Sequence, residues 1–184
     1  MRHLPNLICL FRLLLIWPIT VALQEGRHLA ALGLFVVAAV SDGLDGFLAK
    51  RFNWTSELGK FLDPIADKLL LIVVFVQTAW LGLVPWWLTA AVVARDVLIG
   101  LGALVFRLWF GPLHGRPTVI SKVNTAAQLV YVVLVLLAAA VGVPPREILD
   151  ACALVTFATT VLSGAHYVTK FTRRAWMQPT GPPA

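Results

Sequence analysis

Four aspartates occupy two short stretches of a chain that is otherwise strongly apolar. Asp42 and Asp45 are three residues apart, and Asp63 and Asp67 are four apart, so each pair falls on one face of a helix. An aspartate in membrane hydrocarbon costs roughly 2.5–3.5 kcal/mol on insertion scales, and four of them therefore need cations or a wet cavity. Hard carboxylate oxygens at this density suit Mg2+, Mn2+ or Ca2+. The pattern predicts a divalent-metal site formed by all four side chains.

The residues around the aspartates favour their convergence. The segment 50–60 is short enough to fold the helix that carries the first pair back against the helix that carries the second. Small residues also flank the acids, namely Gly43, Gly46, Ala49, Gly59 and Ala66. Such residues let helices pack closely in lipid and let a bulky ligand approach the backbone.

Two structural alternatives explain the same acids without a metal. Asp63 precedes Pro64, as in a helix N-cap followed by proline at the first helical position. The first pair could instead form an ion-pair network with a nearby cation, namely Lys50, Lys68 or Arg95. Ionisable residues inside a membrane are functional by default, so the metal site is the favoured interpretation.

The composition predicts an all-α integral membrane protein. The 184 residues are 59% hydrophobic and 13% charged, whereas soluble domains carry about 25% charged residues. Apolar segments long enough to cross a bilayer as helices cover residues 7–23, 29–48, 61–83, 85–108, 119–141 and 148–169. We expect six transmembrane helices in one membrane domain, residues 1–176, followed by a disordered tail, residues 177–184.

The distribution of lysine and arginine predicts the orientation. With the N-terminus in the cytoplasm, ten of the fifteen basic residues lie on the inner side, two lie in outer loops and three lie inside helices. The two outer ones are Arg27 and Arg146, and the three intramembrane ones are Arg12, Lys68 and Arg95. An excess of positive charge marks cytoplasmic loops, so both termini and the aspartate-rich segment are expected to face the cytoplasm.

The basic charge fits a membrane surface better than a nucleic acid. The formal net charge is +6, and a basic inner rim would attract anionic lipid headgroups. Nucleic-acid binding is not expected, because no basic stripe with interleaved aromatic residues occurs outside the membrane boundaries. Cys9 and Cys152 lack metal-ligand spacing and are expected to be small apolar core residues.

At residues 42–67 the chain resembles the CDP-alcohol phosphotransferases, whose signature is D-x2-D-G-x2-A-R-x8-G-x3-D-x3-D. The match holds with fixed spacing at the four aspartates and at Gly46, Ala49 and Gly59. It departs at Lys50, where the family usually has arginine, and lysine cannot form the bidentate fork of arginine with phosphate. The resemblance extends over most of the chain, beginning with Pro5, Asn6 and Arg12.

The resemblance implies a six-helix enzyme, usually a homodimer, with a polar cavity open to the cytoplasm. It implies that Asp42, Asp45 and Asp63 bind divalent metal, Mg2+ or Mn2+, and that Asp67 also lies at the reaction centre as general base. Contacts to the CDP portion of CDP-diacylglycerol are implied for Gly46, Ala49, Lys50 and Gly59. The expected location is the bacterial cytoplasmic membrane, and the expected reaction transfers the phosphatidyl group to an acceptor hydroxyl with release of CMP.

The second half of the chain bears on the acceptor. Arg95 lies in the fourth helix, and Lys122 and Asn124 open the fifth. Both cations would suit an anionic acceptor phosphate, although Arg95 could pair with Asp96 and Lys122 could extend to the inner interface. The segment R-P-T-V-I-S-K-V-N-T-A-A-Q resembles cardiolipin synthases of this type, whose acceptor is phosphatidylglycerol. Phosphatidylglycerophosphate synthases, which use glycerol 3-phosphate, are similar but often have lysine in place of Asn124.

Two other hypotheses compete with a transferase. Intramembrane acids also line ion and proton pathways, but transport sites tend to lie near the bilayer midplane between repeats. The aspartates here lie toward one face, beside a basic segment, and no repeat is evident. A catalytically inactive protein of the same fold is the second rival, and the presence of all four aspartates argues against it.

Overall fold

The chain forms an all-helical bundle in the residues that the structure describes. This computed structural model describes the backbone of residues 4–52, 57–110 and 118–177, and side chains in residues 9–43, 66–102 and 118–169. The helices are α1 (Leu4–Gln24), α2 (His28–Phe52), α3 (Glu57–Trp80), α4 (Trp86–Phe110), α5 (Val119–Val141) and α6 (Arg146–Met177). The described ranges contain no strand.

Helices α1, α3 and α5 are each followed by a glycine with a positive φ angle. Gly26, Gly82 and Gly142 all have φ near +70° to +80°, a left-handed conformation that glycine adopts without a steric penalty. At Gly26 the turn closes with hydrogen bonds from its own N–H to the Leu23 carbonyl and from the Arg27 N–H to the Ala22 carbonyl, 3.1 and 2.8 Å long. This is a Schellman cap. The α3–α4 turn and the start of α6 line one pocket, so these two connections lie at the same end of the bundle.

The core is apolar and aromatic, and it lies mainly between α1, α2, α3 and α5. Phe35, Phe75 and Leu136 are fully buried, and the Phe75 ring stacks on Tyr131 with centroids 6.2 Å apart. The outer surface is also apolar: Leu14 and Leu154, among many others, are more than 60% exposed. So much exposed aliphatic surface marks a partner or a membrane rather than water.

Two helices within the described residues are long and apolar enough to cross a membrane, Val119–Val141 and Arg146–Thr169. Shorter apolar stretches lie at Cys9–Gln24 and His28–Gly43. Each of the six helices overlaps one of the apolar segments predicted from the sequence, and the prediction of an all-helical chain is confirmed.

The helix boundaries overturn one structural alternative for the second aspartate pair. Helix α3 begins at Glu57, six residues before Asp63, so Asp63 and Pro64 lie inside the helix rather than at its start. The N-cap interpretation of Asp63 is therefore wrong. The expected tail, residues 177–184, lies outside the described residues beyond Met177, where α6 ends.

Candidate active site

A buried arginine joins the two aspartate-bearing helices. Arg12 on α1 is 1% exposed. Its NH2 nitrogen lies 3.0 Å from Asp42 Oδ1 on α2, and its NH1 nitrogen forms an ion pair with Asp67 Oδ1 on α3. One guanidinium thus bridges one carboxylate from each predicted pair. The convergence expected for Asp42 and Asp67 is present in the structure.

The three residues meet because they lie at the same level of their helices. Arg12 is eight residues after the start of α1, Asp42 is ten before the end of α2, and Asp67 is ten after the start of α3. At a rise of 1.5 Å per residue, each lies about 12–15 Å from the helix end opposite the glycine turns. Asp42 and Asp67 therefore lie two to three turns inside their helices and not at the helix ends.

The described part of this site supplies two carboxylates, the kind of ligand that Mg2+ and Mn2+ prefer. No group of three or more potential metal ligands occurs among the described residues. The Asp42 and Asp67 side chains share one cationic partner and are 47% and 37% exposed, although the Asp67 Oδ1 that pairs with Arg12 is buried. Because Arg12 carries a single charge, the pair is neutralised only in part.

The other predicted site residues in this region lie outside the residues whose side chains the structure describes. These are Asp45, Gly46, Ala49 and Lys50 on α2, and Gly59 and Asp63 on α3. The metal-binding roles of Asp45 and Asp63, and the CDP contacts of the other four, stay predictions.

A cavity of about 310 Å³ opens beside Asp67, between α3, α4, α5 and α6. Most of its lining residues carry a polar group, although Leu71 and Ile99 also line it. Its described polar lining residues are Asp67, Lys68, Arg95, Asp96, Ser121, Thr125, Gln128 and Tyr167. The expected general base therefore shares a cavity with two cations, one of them the predicted acceptor-binding residue Arg95.

Arg95 donates hydrogen bonds to side chains on α5 and α6 and to its neighbour Asp96 on α4. Its Nε and NH2 donate to Ser163 Oγ on α6, over 3.2 and 2.6 Å, and NH2 also donates to Ser121 Oγ on α5, over 2.7 Å. Its NH1 pairs with Asp96 Oδ1 at 2.5 Å. The expected pair with Asp96 is present, and Arg95 nevertheless lines the cavity. A guanidinium held this firmly can bind an anion without losing further side-chain freedom.

Lys68 is the second cation of the cavity. Its Nζ lies 3.9 Å from Asp96 Oδ1, and its side chain is 38% exposed. The ion-pair alternative placed Lys68 or Arg95 beside Asp42, but Asp42 pairs with Arg12 and both of these cations pair with Asp96.

The other two predicted acceptor residues lie elsewhere. Lys122 is exposed at the start of α5, and Asn124 is fully buried. The Asn124 Oδ1 atom accepts hydrogen bonds from Thr159 and Thr160 on α6, 3.0 and 2.9 Å long. Neither Lys122 nor Asn124 is among the described residues that line the cavity.

Sequence reasoning did not assign a role to Arg12, Ser121, Ser163 or Gln128. Arg12 carried a usable signal, since an arginine in an apolar helix needs a carboxylate partner. The two serines carried none, because serine is common at helix contacts in membranes for packing alone.

The sequence of the chain is similar to those of known proteins. The family model for CDP-alcohol phosphatidyltransferase matches residues 2–166. A rat protein named cardiolipin synthase (CMP-forming) is 33% identical over 183 residues, covering 89% of this chain and 61% of the relative. The human protein of the same name is 34% identical, and the matched region covers 48% of its length.

The name of a bacterial relative states glycerol 3-phosphate as the acceptor. The Escherichia coli K12 protein named CDP-diacylglycerol–glycerol-3-phosphate 3-phosphatidyltransferase is 38% identical over 139 residues, covering 70% of this chain and 73% of the relative. The chain thus spans roughly half to three fifths of the two cardiolipin synthases and about three quarters of the bacterial protein. With a matching model over most of its length, the chain belongs to the CDP-alcohol phosphatidyltransferase family.

Proposed function

We propose that the chain transfers the phosphatidyl group of CDP-diacylglycerol to a hydroxyl of a glycerol-type acceptor and releases CMP. One observation carries this proposal beyond family membership. The carboxylates of Asp42 and Asp67 converge on one guanidinium at the edge of a cavity that also contains Arg95 and Lys68. Such a site combines oxygen ligands for a metal, a base and cations for a phosphate.

We assign the metal to Asp42, Asp45, Asp63 and Asp67, as Mg2+ or Mn2+. The bound cation supplies charge neutralisation for the diphosphate, which otherwise meets a cluster of carboxylates. Gly46, Ala49, Lys50 and Gly59 would bind the CDP portion. Arg12 supports this arrangement, because it offsets part of the repulsion between Asp42 and Asp67.

Asp67 acts as the general base in this scheme. It lines the cavity that would receive the acceptor, and a positioned carboxylate can accept a proton from a reacting hydroxyl. The acceptor hydroxyl gives its proton to Asp67 while its oxygen forms a bond to the phosphorus attached to diacylglycerol. The bond from that phosphorus to the oxygen of CMP breaks, and CMP leaves with the bonding electrons.

We favour phosphatidylglycerol as the acceptor, with glycerol 3-phosphate as the alternative. The likeness of the α5 segment to cardiolipin synthases, with Asn124 in place of lysine, supports the first. The E. coli relative supports the second. Both acceptors present a hydroxyl and a phosphate, and Arg95 in the cavity suits either one; Lys122 would approach the acceptor from the start of α5.

We further propose that all six helices cross a cytoplasmic membrane with both termini inside, and that two chains form a homodimer. The alternation of short glycine turns at one end with basic segments at the other supports this topology. The active site would then open toward the cytoplasm, within reach of a water-soluble nucleotide product.

Labelled CDP-diacylglycerol tests the reaction directly. Purified protein with Mg2+ or Mn2+ should release CMP and form labelled cardiolipin from phosphatidylglycerol, or labelled phosphatidylglycerophosphate from glycerol 3-phosphate. Asp67→Asn should lose about a hundredfold or more of the rate while still binding CDP-diacylglycerol. An Asp67→Asn protein with normal turnover would remove Asp67 as the base, and a wild type inactive with both acceptors would contradict the proposed reaction.

A further inference from the structure

Gln128 presents an unpartnered amide in the candidate active-site cavity. The residue is 1% exposed, and its Nε2 nitrogen is buried without a hydrogen-bond partner among the residues that the structure describes. It lines the same cavity as Asp67 and Arg95. A buried amide without a partner destabilises the fold, so its presence in this cavity calls for a ligand that satisfies it.

Gln128 on α5 lines the same cavity as Arg95. Ser121, Thr125 and Gln128 are spaced four and three residues apart, so they share one face of the helix, and all three line the cavity. Ser121 is already the hydrogen-bond partner of Arg95, and the Thr125 hydroxyl donates to the Ser121 carbonyl. Gln128 is the member of this row whose polar group remains unsatisfied.

Asn124, four residues earlier on the same helix, also has a buried amide nitrogen without a partner among the described residues. Its Oδ1, however, accepts hydrogen bonds from two threonines of α6, and it does not line the cavity in the described part of the chain. Among the described residues, the Gln128 amide makes no hydrogen bond to another helix. The two amides therefore differ in that Gln128 lines the cavity and Asn124 joins α5 to α6.

The other residues of the cavity indicate which kind of chemical group the Gln128 amide would bind. Arg95 and Lys68 suit an anionic group, and Asp67 suits the hydroxyl that loses its proton. A neutral amide, which donates and accepts hydrogen bonds, suits a neutral group that does the same. In a glycerol-type acceptor that group is the hydroxyl next to the reacting one.

We propose that Gln128 binds the non-reacting hydroxyl of the acceptor and thereby selects glycerol-type acceptors. This inference rests on the proposed phosphatidyl transfer, and it holds for either acceptor, because phosphatidylglycerol and glycerol 3-phosphate both carry this hydroxyl. Gln128 is thus a specificity-determining residue beside the base, and it takes no part in the proton transfer.

The test removes the hydroxyl from the acceptor and the amide from the protein, separately and together. Rates are compared for glycerol 3-phosphate against 3-hydroxypropyl phosphate, and for phosphatidylglycerol against its 1,3-propanediol analogue. In the wild type, kcat/KM should fall by about tenfold or more without the hydroxyl. Gln128→Met should use the acceptor with the hydroxyl and the acceptor without it at the same low kcat/KM. Its KM for CDP-diacylglycerol should stay at the wild-type value.

Thermal unfolding in detergent separates this role from a structural one. Because methionine is of similar length and removes an unsatisfied buried donor, Gln128→Met should have a Tm equal to or above that of the wild type. Gln77→Met is the matched control, since Gln77 on α3 does not line the cavity in the described residues. It should keep the wild-type preference between the two acceptors.

Three results would overturn the inference. A Gln128→Met protein that still discriminates between the acceptors as the wild type does would show that the amide does not bind the hydroxyl. A lowered Tm together with unchanged discrimination would make the amide structural. A wild type inactive on both complete acceptors would remove the proposed transfer and this role with it, whereas the first two results leave the transfer standing.

Discussion

At the scale of single residues, Arg12 links the two acidic helices. Its guanidinium is almost fully buried and serves carboxylates on two different helices. The sequence marks Arg12 as a cation inside an apolar helix, but no local pattern indicates which carboxylates it meets. That information lies in the packing of α1 against both α2 and α3.

Arg12→Met should destabilise the protein by about 1–3 kcal/mol. The loss should fall below the roughly 3–5 kcal/mol for breaking a fully buried pair, because both carboxylates are partly exposed. The measurement is thermal unfolding in detergent with a metal chelator. Adding Mg2+ should raise the Tm of the variant more than that of the wild type, since the cation would replace the missing charge. Arg27→Met is the control, because Arg27 is exposed and pairs only with Glu25 in its own turn.

An Arg12→Met protein as stable as the wild type in chelator would contradict the bridging role. A stable variant would mean that Asp42 and Asp67 do not repel one another in the folded protein. A Tm insensitive to Mg2+ would argue against a shared metal at this pair.

At the scale of the helices, hydropathy predicts most of the fold. The apolar segments locate all six helices, whereas the role of glycine in ending α1, α3 and α5 is seen only in the structure. Two helices extend well beyond their predicted apolar segments: α3 begins at Glu57, before residue 61, and α6 ends at Met177, after residue 169. Polar residues at a helix start leave no hydropathy signal, so the sequence places the aspartates too near the helix end.

The candidate site is less predictable than the helices that carry it. The signature gives the aspartates, and the pairing of Arg95 with Asp96 was expected as one alternative. The contacts of Arg95 with Ser121 and Ser163 were not expected, because they depend on how α4, α5 and α6 meet. The unsatisfied amide of Gln128 is likewise visible only once its neighbours are known.

Ser163→Ala should weaken the junction of α4, α5 and α6. The variant removes two hydrogen bonds to the Arg95 guanidinium, and the expected loss is about 1–2 kcal/mol, as for bonds to charged groups between membrane helices. A less firmly held Arg95 should also raise the KM for the acceptor several-fold.

Thr169→Ala serves as the control for that substitution. Thr169 lies on the same helix and is exposed, and its hydroxyl donates only to the His166 carbonyl of α6 itself. Thermal unfolding and acceptor kinetics should both stay at wild-type values for this variant. Equal effects of the two substitutions would mean that Ser163 stabilises α6 locally and does not hold Arg95 in place.

At the scale of the whole molecule, the proposed topology gives each end of the bundle a different environment. Trp80, Trp86 and Trp87 are 78%, 53% and 48% exposed near the α3–α4 turn, where an aromatic belt at the outer interface is expected. The aspartates lie toward the opposite end. In the proposed topology, the end with the aspartates faces the cytoplasm, where the nucleotide product is released.

Labelling of single cysteines tests the orientation. In a background with Cys9 and Cys152 replaced by alanine, Glu25→Cys and Glu147→Cys should react with a membrane-impermeant maleimide in intact cells. Val119→Cys, at the first residue of α5, should react only after permeabilisation. The reverse pattern would place the active site on the outer side and contradict the proposed topology.

The proposed reaction depends above all on a divalent cation shared between α2 and α3. The most direct measurement is an anomalous difference map from crystals of the full chain grown with Mn2+. We predict a manganese peak about 2–2.5 Å from carboxylate oxygens of both Asp42 and Asp67. Ordered density for these two side chains with no manganese between them, or manganese bound only elsewhere, would contradict the account.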